Sequence, residues 1–373
     1  MPVPMVQRCL PTRSFLFCNL LPDGKRFPIP SGPLPLLAPP RAPQPPRARH
    51  ISTHPSPWPP SCPPVSSRHT HSTSNMAAEN TANWEASIKR NPHPDFKQVE
   101  NSRPPFDTAS SFHYTQTPSP SWTFGSGANA LAPASPPPHV AIDPYAPGRP
   151  AGFNYKLLIS AVIPRPIAFL STRAPDGTST NLAPFSYFQV ISHDPPLFTL
   201  GFSGPLDAAR AKDSLRNLHA TGECVINIIG EDYIEAANSA SVNAPYGVSE
   251  WDVSGLTPVY DCETVPQVAR VKEAVFSVEG RLESVREFES KATPGKKSAT
   301  LAIVEGTRFW AREDAINEER NVLDPKVLRP MSRLGGITYG RVTEALELPR
   351  PDFEKDLGGA EGAGKLQAKR LAN

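Results

Sequence analysis

The pattern of apolar and polar positions predicts many β-strands in the second half of the chain. Residues 167–172 are apolar or β-branched, follow Arg165-Pro166, and end shortly before Asp176-Gly177. An apolar run that closes on an Asp-Gly turn is typical of a buried strand entering a hairpin. Further strands are predicted over residues 186–192, 197–202 and 223–229.

Two later segments, residues 271–288 and 299–311, alternate apolar and polar residues over long stretches. This period of two is expected for strands of a curled sheet. Short helices are predicted over residues 213–219, which end near Gly222, and over residues 233–239. Because strands and helices do not alternate regularly, we predict a mainly β fold that closes as a barrel.

Proline usage divides the chain near residue 150. Of the 47 prolines, 32 lie in residues 1–150 and 15 in the remaining 223 residues. Proline fixes φ and lacks an amide donor, so the first part cannot support regular ladders. We predict a disordered Pro/Arg-rich extension over residues 1–75, a largely disordered linker over 76–150, one folded domain over 151–350 and a flexible tail over 351–373. We further hypothesise that the functional protein starts at Met76, where acidic residues and helix formers return.

Charge is distributed unevenly along the chain. Residues 1–75 hold eight of the 38 basic residues and one of the 36 acidic residues, which leaves 30 and 35 in the rest. The net charge of +2 therefore hides a folded part near −5, and we predict that the protein does not bind nucleic acid. No window approaches the roughly 20 apolar residues of a membrane span, so no membrane segment is predicted.

The cysteines indicate neither a metal site nor a disulfide framework. Cys224 and Cys262 are the two within the predicted domain, and no zinc-ligand spacing surrounds them. We predict that both are buried as small apolar side chains in a reducing compartment, the cytoplasm. A mitochondrial location is the alternative if residues 1–75 are expressed, since they are basic and poor in acid.

Four segments resemble one known family. They are RPIAFLSTRAPDGTSTNLAPFSYFQVISHDPP, KDSLRNL, SEWDVSGLTP and RLGGITYGRV, in this order between about Tyr155 and Val342. Together they resemble the flavin reductase-like, FMN-binding split-barrel family. The resemblance implies a Greek-key split β-barrel with short peripheral helices, a homodimer, and FMN near the subunit boundary, with NADH or NADPH as co-substrate.

The first segment contains candidates for binding the isoalloxazine ring of FMN. A planar ring edge of donors and acceptors needs partners that are fixed in place. Asn181 and Ser186 would be side-chain partners, Ala183 would let the backbone approach closely, and Pro184 and Phe185 would stiffen the segment. The alternative is a hairpin end with an Asn in its turn.

The second segment, with the preceding strand end, contains candidates for binding the FMN phosphate. Phosphate requires a cation, a hydroxyl and free N–H groups such as those of a helix N-terminus. The resemblance assigns it to Lys212 and Ser214, and less firmly to Ser203. An ordinary surface helix capped by Asp213 or Ser214 is the alternative.

The fourth segment contains candidates for the nicotinamide side of the flavin, namely Arg333, Gly335, Gly336 and Tyr339. Paired glycines allow positive φ or close approach of backbone to a ligand. A turn that closes the barrel is the alternative. Trp251, in the third segment, is expected to pack on the barrel rather than act in catalysis.

One departure from the family bears on activity. Relatives that reduce free flavin carry a His in the late long strand, whereas this chain has Ala299-Thr300-Leu301-Ala302 there. His193 and His219, the histidines of the domain, are expected to be solvated, and no catalytic residue is assigned. The predicted function is an FMN-dependent, NAD(P)H-linked oxidoreductase. The alternatives are a flavin-binding or electron-carrier protein without reductase turnover, and an interaction protein whose proline-rich tail docks partners.

Overall fold

The structure is a computed structural model that describes residues 91–207 and 209–372, so the predictions for residues 1–75 and Met76 lie outside the described residues. The strands are β1 His113–Thr115, β2 Ala168–Arg173, β3 Thr180–Phe185, β4 Phe188–His193, β5 Pro196–Ser203, β6 Glu223–Ile228, β7 Pro258–Val259, β8 Arg270–Val271, β9 Phe276–Glu289, β10 Lys297–Ala311, β11 Met331–Arg333, β12 Tyr339–Arg341 and β13 Glu344–Leu346. The helices are α1 Phe96–Asn101, α2 Ala151–Ala161, α3 Asp213–Thr221, α4 Ile234–Ser239, α5 Glu250–Ser254, α6 Pro325–Leu328 and α7 Gly359–Ala372.

Seven strands form one sheet in the order β3-β2-β6-β9-β10-β5-β4, and all neighbours in it are antiparallel. The edge strands β3 and β4 follow each other in the chain and are joined only by Ser186 and Tyr187. A sheet whose two edges are linked by two residues must curl back toward itself, so it forms a barrel that stays open between β3 and β4. The predicted mainly β split barrel with short peripheral helices is confirmed.

Strand β2 is buried on both faces, which explains the unbroken apolar run that predicts it. Because side chains alternate along a strand, Ala168 and Leu170 enter one apolar cluster, whereas Phe169 enters another. All three side chains are 0% exposed. The strand therefore forms the wall between two cores.

The inner core fills the barrel. It receives side chains from β2, β4, β5, β6, β9 and β10, and α3 closes it through Leu215 and Leu218. The second core packs α4 and α5 against the outside of β2 and β3, with Tyr233 and Trp251 among its members. The expected packing role of Trp251 is confirmed, since its side chain is buried there.

The remaining strand and helix predictions agree with the structure. The segments 186–192, 197–202 and 223–229 correspond to β4, β5 and β6, and the two long alternating segments correspond to β9 and β10. The predicted helices correspond to α3 and α4. Gly222 ends α3 in the left-handed conformation, with φ of 71°, as its position after the helix predicts.

Several elements do not follow from the apolar pattern, and three of them lie near the ends of the described chain or before the barrel. Helix α2 precedes the barrel, β1 pairs in parallel with β13, and α7 lies in the segment predicted as a flexible tail. The tail contains Lys, Leu, Gln and Ala between residues 365 and 371, and these good helix formers offset the glycines at its start. The domain boundaries themselves remain predictions.

Candidate functional site

A buried polar network joins the segments predicted to hold the ring and the phosphate. Asn181 in β3 and Ser214 in α3 are buried, and Ser214 Oγ donates a hydrogen bond to Asn181 Oδ1 at 2.5 Å. Asn181 Nδ2 donates to Glu250 Oε2 at 2.7 Å, and the Leu182 N–H donates to the same oxygen at 3.1 Å. The side chains of Asn181 and Ser214 therefore bond to each other, and Glu250 of α5 bonds to Asn181 and Leu182 of β3.

The same network fixes α3 against β2. Thr172 Oγ1 donates to Asn181 Oδ1 at 3.4 Å, and Asn217 Nδ2 donates to Thr172 Oγ1 at 3.3 Å. Tyr246 Oη completes the chain with a hydrogen bond of 3.0 Å to Asn217 Oδ1. A satisfied buried network of this kind rigidifies the elements it joins. The apolar pattern did not predict this network. The signal that could have revealed it is Glu250, an acidic residue directly before the core residue Trp251.

Helix α3 begins without a side-chain cap. Lys212 occupies the cap position, and the first helical hydrogen bond runs from the Arg216 N–H to the Lys212 carbonyl. The N–H groups of the three residues before Arg216 therefore have no acceptor within the helix. Because neither Asp213 nor Ser214 caps the helix, the alternative of an ordinary capped helix does not describe this start. Burial raises the pKa of Asp213, against the opposing effects of Arg216 and Lys212.

A tight loop links the end of β5 to the start of α3. Ser203 ends β5, and Gly204 has a φ of 112°, which favours glycine. The Gly204 N–H donates to the Ser298 carbonyl at 2.9 Å, and a Cβ on Gly204 would lie 3.8 Å from the Arg210 carbonyl oxygen. The loop thus folds back on itself, with Ser203 at its beginning and Lys212 at its end.

The predicted ring segment is an edge strand rather than a turn. Strand β3 pairs with β2 alone, so one side of its backbone has no strand partner. Ala183, Pro184, Phe185 and Ser186 are half-buried along it. Proline is tolerated in such an edge position because no sheet partner needs its missing donor. The edge therefore has backbone groups available to a ligand, and the alternative of an Asn in a turn does not hold for Asn181.

The short hairpin β11–β12 carries the fourth group of candidates. Arg333 and Tyr339 are cross-strand partners, and the Arg333 guanidinium lies 4.2 Å from the centre of the Tyr339 ring. Tyr339 Oη donates to Asn238 Oδ1 at 2.8 Å, and Arg333 Nη2 donates to the Gly336 carbonyl. Gly335, with φ of 138°, allows the sharp turn between the strands. The four candidates thus lie on one hairpin, and the turn with Gly335 and Gly336 joins β11 to β12 outside the seven-stranded sheet.

Arg165 connects this hairpin to the ring segment, and the sequence analysis did not single it out. Arg165 Nη1 donates to the carbonyls of Ile159 at 2.6 Å and Val162 at 2.8 Å, at the end of α2. Its Nε donates to Ser186 Oγ at 3.3 Å. The backbones of Arg165 and Arg333 exchange two hydrogen bonds, of 3.1 and 2.9 Å. The sequence signal for this role of Arg165 is its position directly before a buried strand, with no acidic residue nearby in the sequence.

The candidates occupy the two ends of β3. Asn181, bonded to α3, lies at one end, and Ser186, bonded to Arg165, follows the other end. Five residue steps along the extended chain separate them, which is about 17 Å at the usual rise per residue. The phosphate candidates and the nicotinamide-side candidates are therefore at opposite ends of one edge strand.

The segment of residues 299–302, in which the resemblance implies a His, contains a Thr with a structural hydrogen bond. Thr300 in β10 is 1% exposed, and its Oγ1 donates to the Gly204 carbonyl at 2.8 Å. His193 and His219 are exposed, as expected. No acid–base side chain therefore stands at this position of β10.

Cys224 and Cys262 are both buried, as predicted. Burial raises the pKa of the Cys224 and Cys262 thiols to about 12 in both cases. Within residues 91–207 and 209–372, no group of three or more His, Cys, Asp or Glu side chains is placed to hold a metal ion. A helix long and apolar enough to cross a membrane is likewise not found in the described part of the chain.

Comparison with known proteins identifies the class. A family model described as "Flavin reductase like domain" matches residues 160–328. The chain is 34% identical over 204 residues to an uncharacterized protein of Halalkalibacterium halodurans, a match that covers 54% of this chain and 93% of that protein. It is 35% identical over 198 residues to the uncharacterized protein YwrF of Bacillus subtilis, covering 53% and 93% respectively.

Among solved structures, the fold resembles nitrilotriacetate monooxygenase component B from Bacillus cereus. The TM-score is 0.52 with 32% identity, and the match covers 57% of this chain and all of that one. The split barrel and its edge-strand site thus define a flavoprotein of the split-barrel class. The chain belongs to the flavin reductase-like family.

Proposed function

We propose that the protein binds FMN and acts as an NAD(P)H-dependent oxidoreductase of the flavin reductase type. One observation carries the proposal: the predicted phosphate segment and ring segment meet in a single hydrogen-bonded unit, through Ser214 and Asn181. The two segments are 33 residues apart in the sequence, so their contact is a property of the fold. The membership of the family supports the choice of a flavin as the cofactor.

The phosphate end of the site fits an anion. Lys212 supplies a cation at the uncapped start of α3, and the first-turn N–H groups supply donors. Ser214 contributes its backbone N–H there, since its hydroxyl is bonded to Asn181. Gly204 follows Ser203 in a positive-φ conformation that favours glycine, so no side chain projects from the loop at this point.

The ring end of the site fits a planar group of donors and acceptors. The free edge of β3 from Ala183 to Ser186 offers backbone groups in a fixed order. Bound FMN would supply the redox chemistry, accepting electrons from NADH or NADPH and passing them to an acceptor. Arg333, Gly335, Gly336 and Tyr339 are proposed to line the nicotinamide side. The role of the chain is to hold and orient both partners, a task that requires no acid–base residue.

Thr300 favours a second candidate function. Its hydroxyl donates to the Gly204 carbonyl in a fully buried position, within the segment of residues 299–302 that lacks the His implied by the resemblance. A barrel that binds flavin without this His would serve as a flavin-binding or electron-carrier protein. We retain this function as the alternative.

We also propose that the protein is a homodimer. Leu158 and Val162 on α2 are 56% and 60% exposed, and Tyr187 and Val190 beside the open edge of the barrel are 42% and 56% exposed. Arg165 bonds both to the end of α2 and to Ser186, so these apolar side chains belong to one region of the surface. An apolar surface of this kind is typical of a protein interface. A second copy would cover it and would enclose the ring end of the site.

The absorbance spectrum of the purified protein, before and after addition of NADH or NADPH without oxygen, tests the proposed function. We expect an oxidised-flavin spectrum, obtained directly or after reconstitution with FMN, that bleaches with one of the two nucleotides. A flavin spectrum that neither nucleotide changes would support the electron-carrier alternative. Failure to take up FMN at all would contradict both functions.

A further inference from the structure

Two arginines face each other at the ring end of the site. Arg165 and Arg333 form an antiparallel bridge in which each N–H donates to the carbonyl of the other. Directly opposed residues in such a pair project their side chains to the same face of the sheet. Like charges in this arrangement destabilise the pair. The local fold therefore needs a source of negative charge beside them.

The chain does not supply a carboxylate for this purpose. Within the described residues, neither Arg165 nor Arg333 forms an ion pair with Asp or Glu. Arg165 is 7% exposed, and burial lowers its pKa; the groups that act on its charge are Tyr187, Arg333 and Tyr155. Buried charges are ordinarily paired, because an unpaired one carries a large desolvation cost.

Hydrogen bonds to carbonyl oxygens satisfy only some of the donors of the two arginines. Arg165 caps the end of α2, whose carbonyl oxygens carry a partial negative charge. Arg333 has no such helix end beside it: its Nη2 donates to the Gly336 carbonyl, and its Nη1 is buried without an acceptor. A buried donor without a partner costs about as much as a lost hydrogen bond. Arg333 Nη1 is thus a buried donor that has no hydrogen-bond partner within the described residues.

An aromatic ring lies beside one of the two guanidinium groups. Arg333 stacks on the Tyr339 ring, and Tyr187 and Tyr155 act electrostatically on the charge of Arg165. Flat rings beside planar guanidinium groups favour a flat ligand, which can stack while it accepts hydrogen bonds. We propose that Arg165 and Arg333 form a binding site for a planar conjugated anion, with Arg333 Nη1 as a direct donor to it.

Such an anion has two sources. One is an aromatic carboxylate that serves as the acceptor substrate. The other is the flavin ring after it has taken up two electrons and one proton, a form that carries one negative charge. The second source rests on the proposed function, since Arg165 Nε donates to Ser186 at the end of the predicted ring segment. The first does not require flavin binding.

Benzoate, with the neutral benzamide as its control, tests the site in the purified full-length protein. We expect benzoate to bind at least tenfold more tightly than benzamide. Arg333→Gln should weaken benzoate binding about tenfold to a hundredfold, the usual range for a hydrogen bond to a charged group. Arg333→Lys, which keeps the charge, should lose less. Arg308→Gln, which removes an exposed partner of Glu263, should bind like wild type.

The reduction potential of bound FMN separates the two sources. If the flavin is the anion, Arg333→Gln should make the potential more negative, by about 30 mV for each tenfold loss of preference for the reduced form. A benzoate effect without a shift in potential identifies a substrate carboxylate, and a shift without benzoate binding identifies the flavin. If folded Arg333→Gln, with wild-type circular dichroism, changes neither, the site is overturned. A protein that binds benzoate but no flavin would refute only the proposed function.

Discussion

Asn181 is the residue in which the parts of the site meet. Its amide donates to Glu250, its oxygen accepts from Ser214 and Thr172, and the side chain is buried within this network. It would therefore support the flavin through the position of β3 and not by direct contact. The sequence predicted Asn181 as a ring partner, and it could not reveal the bond to Glu250, which is 69 residues away in the chain.

Ser214→Ala tests this interpretation. The change removes a buried hydrogen bond and should lower the free energy of unfolding by about 1–2 kcal/mol. Because it acts through β3, it should weaken FMN and riboflavin binding alike, and Asn181→Ala should do the same. Urea unfolding and flavin fluorescence titration measure both effects. Ser239→Ala, at a helical Ser bonded only to the Ala236 carbonyl, is the control. A selective loss of FMN in Ser214→Ala would instead show that its hydroxyl contacts the phosphate.

At the scale of elements, the strands and helices that the sequence predicts are those with a buried apolar face. Strand β2 was predictable because both its faces are apolar, and α3 because its leucines and Gly222 mark its core face and its end. Helix α2 was not, since its apolar residues Phe153, Leu157 and Leu158 remain exposed and give no core-facing pattern. The contact between Arg165 and β11 could not be predicted either, because it depends on chain segments far apart in sequence.

Strand β9 carries a carboxylate that makes its packing sensitive to pH. Glu279 is 0% exposed and accepts hydrogen bonds from the backbone of residues 263–265 and from Trp310 of β10. Burial alone would raise its pKa, but hydrogen bonds from Thr264, the Glu263 N–H and Trp310 outweigh it and lower the pKa to about 2. The folded state therefore favours the charged form.

Stability should fall with pH through this group. A carboxyl whose pKa is lowered on folding stabilises the protein above its unfolded pKa, and this contribution disappears as pH falls toward the folded pKa. From the shift, we expect about 3 kcal/mol at pH 7, of which about 2 kcal/mol is lost by pH 3. Urea unfolding of wild type and Glu279→Gln between pH 7 and pH 3 measures the difference. Equal pH dependence in the two proteins would contradict it.

At the scale of the whole molecule, the segments that flank the barrel in the sequence contact each other. All seven barrel strands and both α2 and α3 lie between residues 151 and 311. Beyond them, Arg341 donates to the carbonyls of Asp107 and Ser110 at 2.9 and 3.0 Å, beside the pairing of β1 with β13. The flavin site, as proposed, does not involve these contacts.

A shortened chain from Ala141 to Pro351 should therefore fold and bind FMN as well as the full-length protein. Loss of β1 and of its contacts to Arg341 should lower the melting temperature by a few degrees, since 1 kcal/mol corresponds to about 2–4 °C in a domain of this size. Thermal unfolding and FMN titration, with residues 91–373 as the control, measure this. An insoluble product would mean that the linker is part of the domain.

The dimer is testable through its apolar surface. Val162→Asp places a charge on α2 where we propose the second copy to lie, and it should shift the protein toward monomers in sedimentation experiments. Val322→Asp, at a residue with the similar exposure of 61%, should leave the dimer intact. A wild-type monomer that still binds FMN tightly would refute the interface.

The central claim is that FMN lies along β3 with its phosphate at the start of α3. Titration of FMN and riboflavin into wild type, Lys212→Ala and the control Lys326→Ala tests it most directly, because riboflavin has the same ring and lacks the phosphate. The loss of the Lys212 charge should weaken FMN binding by about tenfold to a hundredfold and leave riboflavin binding nearly unchanged. Lys326→Ala, at an exposed lysine of α6, should match wild type for both ligands. Equal losses of FMN and riboflavin in Lys212→Ala would contradict the account, because Lys212 would then support the fold and the phosphate would bind elsewhere.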